Sequence, residues 1–264
     1  MNNQTLKTPV SKILICLTYN ETYKGFLNYF SEYHKKKFNL DTVCAFYGTD
    51  IEFDQIRRES NTQIIHLDKI YDVPDQDALS RSWICTLGLF FASNYLKNDV
   101  YMTMGIDQFL MNYEFLNLVN GYDFDKDYIV GISDAYSRDD LFPSSYHVSK
   151  GSVSKNAIGV PDEWESFVKE VYEFGKECSF SENWGLDERY SSKRLLEYGN
   201  LIKLNFFSNL VAKRLDRCRR IIIDRNKVKN LQYSEMHCQR PFEKAFEDLQ
   251  EINELMPDFK QEEL

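Results

Sequence analysis

Strand-length apolar runs alternate with segments of helical period through the first half of this chain, and that alternation restricts the fold more than any other feature. Residues 12–19 (KILICLTY) form a continuous apolar run, and residues 23–37 place Phe26, Phe30 and Tyr33 at helical spacing. The same reading predicts a strand at 42–47, a short helix at 54–60, a strand at 63–67 and a long helix at 79–96, where Leu79, Trp83, Leu87, Phe90 and Phe91 are spaced for burial. A fourth strand is predicted over 100–111. Strands buried on both faces read as unbroken apolar runs, and βαβ alternation calls for a mostly parallel sheet with helices on both faces. The expected class is therefore α/β.

The second half is less regular. A strand is predicted at 128–133, a polar loop at 134–155, and a helix at about 162–178 with Trp164, Phe167, Val168, Val171 and Tyr172 at offsets of three and four. A short helix should start near Asp187. Residues 213–229 hold eight Lys and Arg, whereas 243–264 hold eight Asp and Glu. The basic stretch, with Lys213, Arg214, Arg217, Arg219 and Arg220, reads first as an exposed helix balancing the acidic tail, and second as cations for a nucleotide or an anionic acceptor. No linker divides the 264 residues, so a single domain is expected over 1–264. Its parts are a Rossmann-like nucleotide-binding half at about 12–112, an acceptor half at 113–205, and a helical C-terminal extension at 206–264 that packs back on the site.

Charge and cysteine usage exclude several classes. A net charge of -9 argues against nucleic acid and against an anionic membrane surface as partners. No run of 18 apolar residues exists, so no membrane span is expected. Cys16, Cys44, Cys85, Cys178, Cys218 and Cys238 lack C-x-x-C spacing and mostly sit in apolar runs, as small buried hydrophobes of a reducing, cytoplasmic protein do. No Gly-rich phosphate loop occurs, which argues against a P-loop ATPase or a dinucleotide dehydrogenase.

Two residues carry most of the expected chemistry. Asp107 follows the apolar run 100–104, where ligands of open α/β sheets bind, and a buried carboxylate there needs a cation or donors. A divalent metal meets that need; capping the next turn is the alternative use of such an Asp. His237 lies in Tyr233–Phe242 (YSEMHCQRPF), where a loop imidazole precedes Arg240 and Pro241. Imidazole ligates divalent metals and a guanidinium forks onto phosphate oxygens. His34, His66 and His147 have plainer readings: a basic helix end, a strand and a polar loop.

Several short motifs then fall in a suggestive order: Leu17-Thr18-Tyr19-Asn20, Gly105-Ile106-Asp107, Asn156-Ala157-Ile158-Gly159, Trp184-Gly185-Leu186-Asp187-Glu188 and His237-Cys238-Gln239-Arg240-Pro241-Phe242. This order resembles the nucleotide-sugar glycosyltransferases of the GT-A fold, particularly the glycogenin and bacterial galactosyltransferase group, over most of residues 13–242. The resemblance implies a GT-A-like fold and hexose transfer from a nucleoside-diphosphate sugar, UDP by default, to a hydroxyl of a glycan or protein acceptor. It implies Mn²⁺ or Mg²⁺ held by Asp107 and His237, with Thr18, Tyr19, Asn20, Arg81, Asp107 and Arg240 on the donor. Asp187, Glu188 and Asp134 become the candidate catalytic acids, as a general base or as groups that orient and stabilise the transferring sugar. One departure stands out: Gly105 replaces the first Asp of the metal motif. A degenerate, non-catalytic sugar-nucleotide or glycan binder and a nucleotidyltransferase are the alternatives. The latter wants a Gly-rich basic loop that Tyr19–Thr22 does not offer.

Overall fold

A computed structural model describes residues 7–73, 78–136, 138–177, 185–206, 213–216 and 223–258. Within them the strands are β1 Lys12–Thr18, β2 Asp41–Gly48, β3 Gln63–Asp68, β4 Val100–Thr103, β5 Gln108–Leu110, β6 Ile129–Ile132, β7 Val148–Lys150, β8 Leu201–Leu204, β9 Lys213–Asp216 and β10 Tyr233–His237. The helices are α1 Phe26–Phe38, α2 Asp50–Glu59, α3 Ala78–Phe91, α4 Glu114–Val119, α5 Gly151–Ile158, α6 Trp164–Glu177, α7 Leu186–Tyr198, α8 Arg225–Lys229 and α9 Phe242–Leu255. Seven strands form the main sheet in the order β3-β2-β1-β4-β7-β6-β8, and β5-β10-β9 form a second, smaller sheet. The first four strands of the main sheet are parallel. β7 runs antiparallel to β4 and β6, and β8 is parallel to β6. The chain is thus α/β with a mostly parallel central sheet flanked by helices.

The apolar run of β1 follows from its position. Ile13, Ile15 and Leu17 point into one core with Phe26 and Phe30 of α1, while Leu14 points into the other with Trp83 and Leu87 of α3. A strand covered on both faces has no polar side to show. α2 starts four residues earlier than its apolar spacing suggests, because Thr49 and Glu52 form a capping box.

The structure corrects the sequence reading in three places. The strand expected over 100–111 is two strands in different sheets. After Thr103 the chain turns: Gly105 N donates to Gln108 Oε1 (2.8 Å) and Gln108 N donates to Gly105 O (3.0 Å). Asp107 therefore sits in this turn rather than at a strand's end. The loop expected over 134–155 contains β7 and most of α5; the strand is masked by Ser149 and His147, polar residues that are nonetheless buried. Finally, the extension over 206–264 is not purely helical. It supplies β9 and β10, and the basic stretch that was expected to be a helix begins as β9 and includes α8, with Arg217, Arg219 and Arg220 outside the described residues.

The last helix closes against the first. Phe242 meets Phe26 edge-on, ring centroids 5.0 Å apart, and Tyr29 Oη donates to Leu249 O (2.6 Å). Lys37, buried to its tip, donates to the carbonyls of Asn253 and Met256 (both 2.7 Å) and pairs with Asp258 (2.6 Å). An ammonium there satisfies carbonyls at the end of α9 that have no partner within the helix. Among the described residues no helix is long and apolar enough to cross a membrane.

Candidate active site

A cavity of about 590 Å³ opens at the C-terminal ends of β1 and β4, lined there by Cys16, Met104 and Gly105. One wall carries Asp107, His237 and Arg240; another carries Asp134, Asp187 and Glu188. Two segments 130 positions apart thus meet across one space. The smaller sheet brings them together, since β5 and β10 pair antiparallel with His237 opposite Gln108 and Cys238 N donates to Asp107 O (2.8 Å). β5 is in turn held by α1: Leu110 N donates to His34 Nε2 (3.3 Å) and Tyr33 Oη to Leu110 O (2.7 Å). The plain reading of His34 as a basic helix end misses this. The ring is fully buried, and burial pushes its pKa down to about 3.

On the first wall Arg240 Nε donates to Asp107 Oδ2 (2.5 Å) and Arg240 Nη2 contacts His237 Nε2 (3.1 Å). Asp107 Oδ2 and His237 Nε2 are 3.3 Å apart. Burial pushes the Asp107 carboxyl up, but His237 and Arg240 beside it outweigh burial and hold it below the usual carboxylate range. Arg240 also lies over the Tyr23 ring, 5.2 Å from its centroid.

On the second wall Ser144 Oγ donates to Asp187 Oδ2 (2.5 Å), and Tyr136 Oη donates to both oxygens of Glu188 (2.8 and 2.9 Å). Burial and the neighbouring Glu188 raise Asp187 to about 7. Burial also raises Glu188, against the Tyr136 hydrogen bond. Asp187, held near 7, can take or give a proton near neutral pH, as general acid-base chemistry requires, with the raised Glu188 carboxyl beside it. Tyr136 and Ser144 were not anticipated, because hydroxyls scattered through a polar loop carry no periodic signal. Arg214 is not on an exposed helix: it lies on β9, lines the cavity and pairs with the buried Glu235 of β10. An acid two positions before His237 on a strand was the available clue.

The remaining expected contacts are not part of the cavity lining. Thr18 ends β1, and Tyr19 and Asn20 enter the following turn, where Asn20 Oδ1 accepts from Thr22 N (2.7 Å). Arg81 is half-buried on α3 beside Ser82 and Trp83, which do line the cavity. Asn156 and Gly159 sit at the end of α5, with Gly159 as its left-handed cap (φ 74°), so that motif is a helix terminus. Trp184 lies outside the described residues.

Whether a divalent metal fits is decided by Asp107 and His237. Right-angle coordination with bonds of about 2.2 Å separates two ligand atoms by about 3.1 Å, close to the 3.3 Å observed. The pair fits, but it is only a pair. Gly105 brings no carboxylate, and a Cβ there would lie 3.0 Å from Gln108 Oε1, so the Gln108 amide fills the room. Among the described residues the one group of three candidate ligands is elsewhere, Asp50 at the start of α2 with His66 and Asp68 of β3, and none of the three lines the cavity.

No protein-family model matches the chain, and no curated protein does. Among solved structures it is similar to the glycosyltransferase GlyE of Streptococcus pneumoniae TIGR4, at 12% identity and a TM-score of 0.42 over 76% of this chain and 47% of that one. The chain spans about half the length of GlyE. It is also similar to the galactosyltransferase LgtC, solved with donor and acceptor sugar analogues, at 10% identity and a TM-score of 0.49 over 95% of this chain and 98% of that one.

Proposed function

We propose that this chain is a glycosyltransferase of GT-A type that moves a hexose from a nucleoside-diphosphate sugar, UDP by default, to a hydroxyl of a glycan or protein acceptor. One observation carries the reading: a single cavity is lined by Asp107, His237 and Arg240, which contact one another, and by a pair of acids with raised pKa values, Asp187 and Glu188. Sugar transfer needs these two chemistries within one donor's length. The leaving diphosphate develops negative charge that fixed cations stabilise, and the acceptor hydroxyl must lose a proton.

In this mechanism Arg240 forks onto the diphosphate. Asp107 and His237 would hold Mn²⁺ or Mg²⁺, which would supply positive charge to the leaving oxygens. Thr18, Tyr19 and Asn20 flank the nucleoside; Tyr23 of the same turn, against Arg240, supports that assignment. Arg81 reaches the donor from α3. Asp187, Glu188 and Asp134 face the acceptor, with Asp187 taking or orienting the hydroxyl proton. The absence of disulfide spacing suits a cytoplasmic setting, and the net charge of -9 suits a neutral glycan or protein partner rather than nucleic acid.

Calorimetric titration with UDP and UDP-hexoses, with and without Mn²⁺, tests the reading. Binding of nucleotide is expected, with slow donor hydrolysis that Asp107→Ala and His237→Ala abolish. No nucleotide binding in either condition would overturn it. Binding without hydrolysis or transfer would leave a sugar-nucleotide binder.

A further inference from the structure

We infer that Asp50, His66 and Asp68 form a separate metal site, which takes a divalent ion of the Zn²⁺ class and ties the start of α2 to the edge strand β3. None of the three lines the cavity that holds Asp107 and Asp187, so the inference does not rest on the sugar-transfer reading. The imidazole sets this trio apart from a cluster of surface acids. His66 Nε2 lies 3.1 Å from Gly48 O, and because a carbonyl only accepts, the ring must keep a proton on Nε2. In the neutral ring Nδ1 then carries the lone pair, and it faces Asp50 Oδ1 at 3.7 Å and Asp68 Oδ1 at 3.6 Å. A ring held by a backbone carbonyl at its far nitrogen is the usual way a metal-ligating histidine is oriented.

The spacing favours a metal ion between these atoms over a proton on Nδ1. A charge-assisted N–H···O bond spans about 2.7–2.9 Å, shorter than either separation. Tetrahedral bonds of about 2.1 Å place ligand atoms about 3.4 Å apart, and the three atoms here lie within 4.8 Å of one another. Small turns of the two carboxylates, 92% and 82% exposed, close the difference. The imidazole does not have to move: it is 17% exposed and stacks on Phe53, with ring centroids 4.3 Å apart and planes 1° from parallel. Glu52 is engaged in the capping box with Thr49, so the trio and a water make a four-coordinate shell. An imidazole among the ligands selects Zn²⁺ over Ca²⁺ or Mg²⁺, which take oxygen shells. β3 is the outermost strand of the main sheet, and an ion at this point fastens an edge that is otherwise open.

The test is a calorimetric Zn²⁺ titration of the whole chain, run in an Asp107→Asn, His237→Ala background so that the cavity corner contributes nothing. One Zn²⁺ per chain is expected, and adding His66→Gln or Asp68→Asn to that background should weaken it by about tenfold or more, as when a group that holds a metal is removed. Asp68→Asn replaces an exposed carboxylate by its isostere, so its effect on affinity is not an effect on folding. Ring ¹⁵N spectra of the wild type need no variant, and Zn²⁺ should shift Nδ1 of His66 far more than Nε2. Excess Zn²⁺ should also raise the Tm of the background variant and leave that of its His66→Gln derivative unchanged. Absence of Zn²⁺ binding in the background variant, or binding that both added substitutions leave intact, would overturn the inference.

Discussion

His34 and Asp187 respond to pH in opposite directions, and the sign of each follows from where its pKa lies relative to the unfolded chain. His34 is depressed to about 3, so the stability it contributes is present above about pH 6.5 and is lost as pH falls toward 3. Asp187 is raised to about 7, so its contribution is present below about pH 4 and is lost as pH rises through 7. Urea unfolding of wild type and Asp187→Asn across that range should show the wild type losing ground to the variant as pH rises, by up to about 1.4 kcal/mol per pH unit. A constant difference would mean that Asp187 is ionised throughout. If Asp187 is the base, kcat/KM should rise through an apparent pKa near 7 and fall by about 10²–10⁴ in Asp187→Asn. Legibility at this scale was uneven. Asp107 and His237 stood out because an acid after an apolar strand and an imidazole before Arg-Pro are rare patterns. Tyr136, Ser144 and Arg214 did not, because hydroxyls and a basic run look the same whether they face solvent or a cavity.

Among the elements, α1 and α9 form the joint that sets the approach to the cavity. A Cβ on Gly25 would come within 2.8–3.0 Å of the Phe242 ring and Cβ. Gly25→Ala is therefore expected to push α9 away from α1 at a cost of about 1–3 kcal/mol, and, because Phe242 lies two residues after Arg240, to weaken nucleotide binding as well. Thermal melts and UDP titration of the variant check both. Thr49→Ala, which breaks the capping box of α2, should cost about 1 kcal/mol and leave nucleotide binding unchanged. The elements that were readable from sequence are those whose burial imposes a period: β1, β2, β3, α3 and α6. β7 was hidden because a three-residue strand shows no alternation, and the break after Thr103 was hidden because β5 resumes the apolar pattern in another sheet.

At the level of the whole molecule, one buried lysine ties the first helix to the last. Lys37 on α1 holds the end of α9 through Asn253, Met256 and Asp258, 216 to 221 positions away in the chain. Replacing it by Met removes three contacts at once and leaves carbonyls unpaired, an expected loss of about 2–4 kcal/mol, with faster amide exchange in α9 than in β1. The α/β class was evident from the first hundred residues, whereas the second sheet was not, since its strands come from three distant segments whose pairing no local pattern records. The β5–β10 ladder bears on how such a protein can diversify. Because the spacing of Asp107 and His237 is dictated by strand register, substitutions on the opposite wall can accumulate without disturbing it, and under the proposed function a library varied at Tyr136, Ser144 and Asp134 should yield altered acceptor choice long before it yields loss of donor recognition.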